Sequence, residues 1–132
     1  MTATQLDHTA TTARRRWFGL DALVTGANGL AYLVAAGPLT DLLGGDATTF
    51  RWIGAFLLAY AVAVGAYAAA PRSAAVGWVI VGANAVWVVA SLEVAVTGAL
   101  DLDAVGRGWA AAQALVVGAL AAIQASVLRA RR

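Results

Sequence analysis

Four apolar stretches of membrane-spanning length, sparse charge, and arginines gathered beside alternate loops predict an all-α membrane protein. The expected architecture is a four-transmembrane-helix up-down bundle with both termini cytoplasmic. Of 132 residues, 61% are hydrophobic and 12% charged, and the mean hydropathy is +0.76, whereas a soluble domain carries about 25% charged residues. The stretches cover about 17–37, 51–70, 75–98 and 107–128, each close to the ~20 residues with which a helix crosses a hydrocarbon core of ~30 Å. The domain reading is a single transmembrane domain over 17–128, with a disordered cytoplasmic tail over 1–16 and a basic cytoplasmic tail over 129–132.

The first element is the polar tail "MTATQLDHTATTA", which holds the only histidine, His8. The arginines and apolar run that follow have the form of a signal sequence. Signal h-regions, however, are about 7–15 residues long, and span 1 exceeds this and carries Asp21 and Asn28, so it is expected to be retained. Within it "VTGANGLAY" sets Thr25, Gly26, Asn28 and Gly29 where short-chain dehydrogenases have T-G-x-x-G-x-x-G. That fingerprint works only between a strand and a helix. Here it lies inside an apolar helix, Tyr32 takes the third glycine's place, and the chain has no lysine, so a nicotinamide nucleotide is excluded.

In span 1, Asp21, Thr25, Asn28 and Tyr32 are spaced four, three and four apart and share one stripe. Gly26 and Gly29 beside it permit close helix approach. Span 2 puts Trp52, Phe56, Tyr60 and Tyr67 on a broad face, with Ala55, Ala59, Ala63, Ala66 and Ala70 as a small-residue stripe next to it. Span 3 groups Asn84, Trp87 and Ser91. Span 4 aligns Gln113, Val117, Leu120 and Gln124, beside a second stripe of Ala111, Ala114, Gly118, Ala121 and Ala125. Lipid satisfies no polar side chain, so these polar residues are expected to turn inward. At ~1.5 Å per residue, Asn28, Tyr60 and Asn84 fall at mid-membrane, Asp21, Tyr67 and Gln124 on the cytoplasmic side, and Tyr32, Ser91 and Gln113 on the outer side. The expected ligand-binding set is therefore Thr25, Asn28, Tyr32, Phe56, Tyr60, Asn84, Trp87, Ser91, Gln113 and Gln124.

All nine basic residues are arginine. Arg14, Arg15, Arg16, Arg72, Arg129, Arg131 and Arg132 fall on one side of the spans, and only Arg51 and Arg107 on the other, beside Asp41, Asp46, Asp101 and Asp103. Arginine bias marks the cytoplasmic side. The pI of about 9.7 therefore reads as attraction to anionic lipid headgroups, not to nucleic acid. Cysteine is absent, which excludes disulfides, thiolate chemistry and cysteine-held metal. With His8 in the tail, no histidine-held haem or zinc is expected inside the bundle, and no metal or cofactor is assigned.

Asp21 and Glu93 are the only acids within the spans. Asp21 lies one turn inside the membrane, near Arg14–Arg16, and is expected to snorkel toward them. Glu93 lies half a helical turn from Asn84 and Ser91, toward the outer end of span 3, and is expected to face the interface or a second subunit. Their depths differ by roughly 20 Å, too far for a carboxylate dyad.

The segments "LDALVTGANGLAYLVAAGPLTDLLG", "VGANAVWVVAS" and "GRGWAAAQALVVGALAAIQ" resemble a family of small four-span integral membrane proteins of high-GC actinobacteria. The likeness runs over most of 17–128 and is carried by apolar spacing with Asp21, Asn84, Trp87, Gln113 and Gln124. It implies the plasma membrane and a multi-pass topology but no activity. Some comparably small bacterial membrane proteins are terpene cyclases. The leading expectation is non-enzymatic: a bundle with a polar-aromatic interior that binds a lipophilic lipid or isoprenoid ligand, or partner helices. Expected partners are membrane lipids, a hydrophobic or isoprenoid small molecule, and further copies of the chain. The alternative is a membrane-embedded cyclase of prenyl chains, with Asp21 or Glu93 as acid and Trp52, Phe56, Tyr60, Trp87 and Trp109 stabilising the cation. A third reading is a small oligomeric transporter.

The arginine distribution makes a direct prediction. Reporter fusions after Arg132 behave as cytoplasmic and fusions near Gly45 as external. A C-terminus reported outside the cytoplasm defeats the four-span arrangement.

Overall fold

Helix breaks follow from local chemistry. The computed structural model of the chain describes residues 2–130, which form α1 (Ala3–Val34), α2 (Ala36–Leu43), α3 (Ala47–Ala69), α4 (Ala74–Thr97) and α5 (Ala104–Arg129). Arg131 and Arg132 of the expected basic tail lie outside the described residues. By length and apolarity α3, α4 and α5 can each cross a membrane, and α1 with α2 is a fourth candidate if the bent pair is one span.

The polar tail, expected to be disordered, instead forms the first turns of α1. Thr2 and Gln5 make a reciprocal capping box, which satisfies two of the amides that a helix start leaves open. At the other end α1 stops at Val34 and the chain bends by 94° into α2. Pro38 explains the break, because a continuous helix needs an N–H at this position for the Val34 carbonyl and the ring would collide with it. In the first turn of a new helix the missing N–H costs nothing. The sequence reading carried span 1 through to residue 37 and did not anticipate α2 as a separate helix. The α3–α4 turn has the same cause: Pro71 disfavours helical backbone at Ala70, and Ser73 then caps α4. Gly98 ends α4 in the left-handed conformation, and Asp46 and Asp103 cap α3 and α5.

The helices pack as two pairs. α1 lies along α3, and α4 along α5. A thinner contact between α1 and α5 joins the pairs, while α3 and α4, although consecutive, barely touch. The α1–α3 crossing is a glycine contact. A Cβ on Gly29 would stand 2.9 Å from the Gly54 carbonyl oxygen, and one on Gly54 would meet Gly29 backbone and the Tyr32 Cβ. The buried seam of α3 is Gly54, Leu57, Ala61, Val64 and Ala68, spaced three and four apart. This corrects the expected stripe: Ala55, Ala59, Ala63, Ala66 and Ala70 are all exposed.

Two apolar clusters close the ends of the bundle. Phe18, Val64, Tyr67, Ala68, Ile80 and Leu128 pack at the end where Arg14 donates to the Pro71 carbonyl, here called the arginine end. Ala36, Leu43 and Phe50 pack at the opposite end, under α2. There the loops before α3 and α5 are tied by backbone hydrogen bonds from Gly45 N to Asp101 O (3.1 Å) and from Asp103 N to Leu43 O (2.9 Å). Arg107 reaches the free carbonyls of Ala95 and Val96 at the end of α4, 2.7 Å each. Residues at the end of a helix thereby gain the donors they lack.

The glycine crossing predicts a sharp contrast. Gly29→Ala or Gly54→Ala drives a methyl into facing backbone and destabilises the protein by about 1–3 kcal/mol. Gly26→Ala meets only the Ala61 Cβ at 3.5 Å and is neutral. Thermal unfolding of the three variants in one detergent checks this.

Candidate functional site

A buried carboxyl group must find donors within the fold, since neither lipid nor packed apolar side chains supply them. Asp21, from α1, is 2% exposed. Its Oδ2 accepts from Asn84 Nδ2 of α4 and Gln124 Nε2 of α5, each at 2.8 Å, and its Oδ1 accepts from Thr25 Oγ1 at 3.0 Å. Asn84 Nδ2 also donates to Gln124 Oε1 at 3.0 Å. From α3, the Tyr60 hydroxyl donates to Asn84 Oδ1 at 3.0 Å, and stands 3.2 Å from the Ile80 carbonyl oxygen. All four long helices thus contribute to one polar knot, with Gln124 wholly inaccessible and Asn84 4% exposed.

This geometry overturns the expectation that Asp21 snorkels to the arginines. Arg14 is itself buried and turned to Pro71, while Arg15 and Arg16 are exposed. The depth assignment shifts too, because Asn84, placed at mid-membrane with Asn28, is bonded directly to Asp21 and Gln124, placed on the cytoplasmic side. Tyr67, assigned to the level of Asp21, donates instead to the Ser73 carbonyl at 2.8 Å.

Beside the knot, toward α2, the two helix pairs diverge around a cavity of about 990 Å³. Of the expected ligand-binding residues, Thr25, Asn28, Tyr32, Phe56, Tyr60, Asn84, Trp87 and Gln113 line it. Gln124 lies in the knot and Ser91 is buried on α4, and neither reaches the cavity wall. Trp52, read onto the same face as Phe56, is 74% exposed and points away from the bundle. At the α2 end of the cavity the Tyr32 hydroxyl accepts from Trp109 Nε1 at 2.7 Å and from Gln113 Nε2, and its ring stacks on Phe50. The cyclase reading counted Trp109 among the cation-stabilising aromatics; it lines the cavity with a specific partner, the Tyr32 hydroxyl. The α2 leucines Leu39, Leu42 and Leu43 close this end, and no periodic signal marked them, because α2 is only two turns long.

Neither acid of the spans lines the cavity. Glu93 is exposed on α4, in a shallow groove with Ala85, Val86, Val89 and Ala90. Among the described residues no group of three or more His, Cys, Asp or Glu is placed to hold a metal ion. No protein-family model, no curated protein and no solved structure matches the chain. The fold and the site therefore rest on the chain's own residues.

The knot separates two substitutions of Asp21. Asn keeps one oxygen for the two amide donors, and the Thr25 hydroxyl can reverse to accept its NH2, so Asp21→Asn is mild. Asp21→Leu strands buried amide donors and costs about 1–3 kcal/mol. An exposed pairing with arginine would be worth about 0–1 kcal/mol and would make both variants mild. Thermal melting in detergent tells the two apart.

Proposed function

We propose that the chain is a four-span protein of the plasma membrane, with both termini cytoplasmic, that binds a lipophilic molecule between its two helix pairs. The observation that carries this reading is the cavity. Ligand sites have volumes of about 300–1,000 Å³ and mostly apolar walls with a few convergent polar groups, and the space between the pairs has that size and character. A bundle held together only by interhelical hydrogen bonds needs no such space, since membrane helices associate by close packing.

The way in is lateral. α3 and α4 hardly meet, and Phe56 and Val86, one from each, are both exposed and line the cavity. In a bilayer this gap opens on lipid, so the ligand exchanges with the hydrocarbon phase. The acid that a cyclase or proton-coupled transporter needs has no place on this wall, because Asp21 is enclosed in its hydrogen bonds and Glu93 lies outside. Binding, not turnover, is the activity that the arrangement supports.

Filling the cavity tests this reading. Ala83 and Ala112 line it from α4 and α5 and are exposed, so Ala83→Phe with Ala112→Phe occupies the space without touching the knot. The wild-type protein is expected to carry a bound lipid through purification, seen as an added mass under native mass spectrometry. The double variant melts normally and retains at least about tenfold less, a loss of ~1.4 kcal/mol. Wild-type protein that carries no lipid, or a double variant that carries it equally, defeats the proposal.

A further inference from the structure

The polar groups of the cavity fall into two sets. Thr25, Tyr60 and Asn84 are committed to the knot around Asp21. Near α2 the account is open: Tyr32 accepts two N–H donors, yet its own hydroxyl proton has no acceptor among the described residues. The Gln113 side-chain oxygen and both ends of the Asn28 amide also have no protein partner among them. Among the described residues no Asp, Glu or Arg lines the cavity.

A polar group in an apolar enclosure is costly unless its hydrogen bonds are made. The occupant is therefore expected to bring an acceptor for the Tyr32 proton and a donor for the Gln113 oxygen. A single hydroxyl supplies both. A phosphate, carboxylate or ammonium head would bring charge into a wall with no countercharge, where an unpaired ion is strongly disfavoured. The rest of the lining is aliphatic and aromatic, suited to a hydrocarbon chain.

Building on the ligand-binding reading, we infer that the cavity selects a neutral lipid with a hydroxyl head. The head sits against Tyr32 and Gln113, and the chain runs past Trp87 toward the gap between Phe56 and Val86. Trp109 and Gln113 hold the Tyr32 oxygen in place, so its proton is left for the ligand. Long-chain acyl alcohols and isoprenoid alcohols share this chemistry.

The test is a headgroup series on one tail, read by native mass spectrometry of the detergent-solubilised full chain. Oleyl alcohol, oleyl methyl ether and oleyl phosphate compete at equal concentration, with geranylgeraniol run against oleyl alcohol to distinguish isoprenoid from acyl chains. The alcohol is expected to exceed the methyl ether, which lacks the donor, by at least about tenfold, or ~1.4 kcal/mol, and to exceed the phosphate by more. Gln113→Leu removes the ligand's acceptor and is expected to lower alcohol occupancy to that of the ether, erasing the preference; a preference that survives in this variant overturns the headgroup assignment. Equal occupancy by the three heads, or preference for the phosphate, overturns the headgroup assignment and leaves the ligand-binding reading standing. Absence of every probe from the wild-type protein overturns both.

Discussion

The structure is organised by the need to satisfy one carboxyl group shielded from solvent. Asp21 can be buried only if donors come to it, and the donors lie on different helices: Asn84 on α4 and Gln124 on α5, with Tyr60 of α3 orienting Asn84 from behind. In a medium of low dielectric such bonds strengthen one another, and leaving one unmade is correspondingly costly. The knot therefore specifies an arrangement. A rotation of α4 or α5 by one residue would carry the amides away and strand the carboxyl group. Apolar contacts alone would allow many such rotations.

The same constraint explains how a cavity can persist beside it. The pairs α1–α3 and α4–α5 are each close-packed, the first through Gly29 and Gly54. Between the pairs, the knot and the apolar cluster around Phe18 hold the arginine end together, and backbone hydrogen bonds between the two loops hold the α2 end. Clamped at both ends, the pairs have no need to meet along α3 and α4. The space left is lined by apolar side chains and has uncommitted polar groups at one end only. Under the ligand-binding function proposed above, that asymmetry is what orients the amphiphile.

Arg14 has no equally complete account. It is buried and donates to the Pro71 carbonyl, yet its Nε has no partner among the described residues. The bond to Pro71 fixes its position against the α3–α4 turn; the Nε donor has no structural explanation.

Much was legible in the chain by itself. The apolar segments were read directly. The caps at Asp46, Ser73 and Asp103 and the breaks at Pro38, Pro71 and Gly98 are just as local, each depending on a few consecutive residues, yet the sequence reading placed none of them and ran span 1 past the break after Val34. The inward stripe Asp21–Thr25–Asn28–Tyr32 was also readable, since burying a polar residue in lipid is penalised wherever it occurs. Only the tertiary structure decided which partner each group found: amides for Asp21 in place of arginines, and tryptophan and glutamine for Tyr32. It also decided that Ala55, Ala59, Ala63, Ala66 and Ala70 face outward while Gly54, Ala61 and Ala68 pack inward. The physical reason is that lipid is as apolar as a protein core, so hydropathy does not distinguish a packed alanine from an exposed one. Close approach between backbones makes that choice, and it exists only once two helices have met.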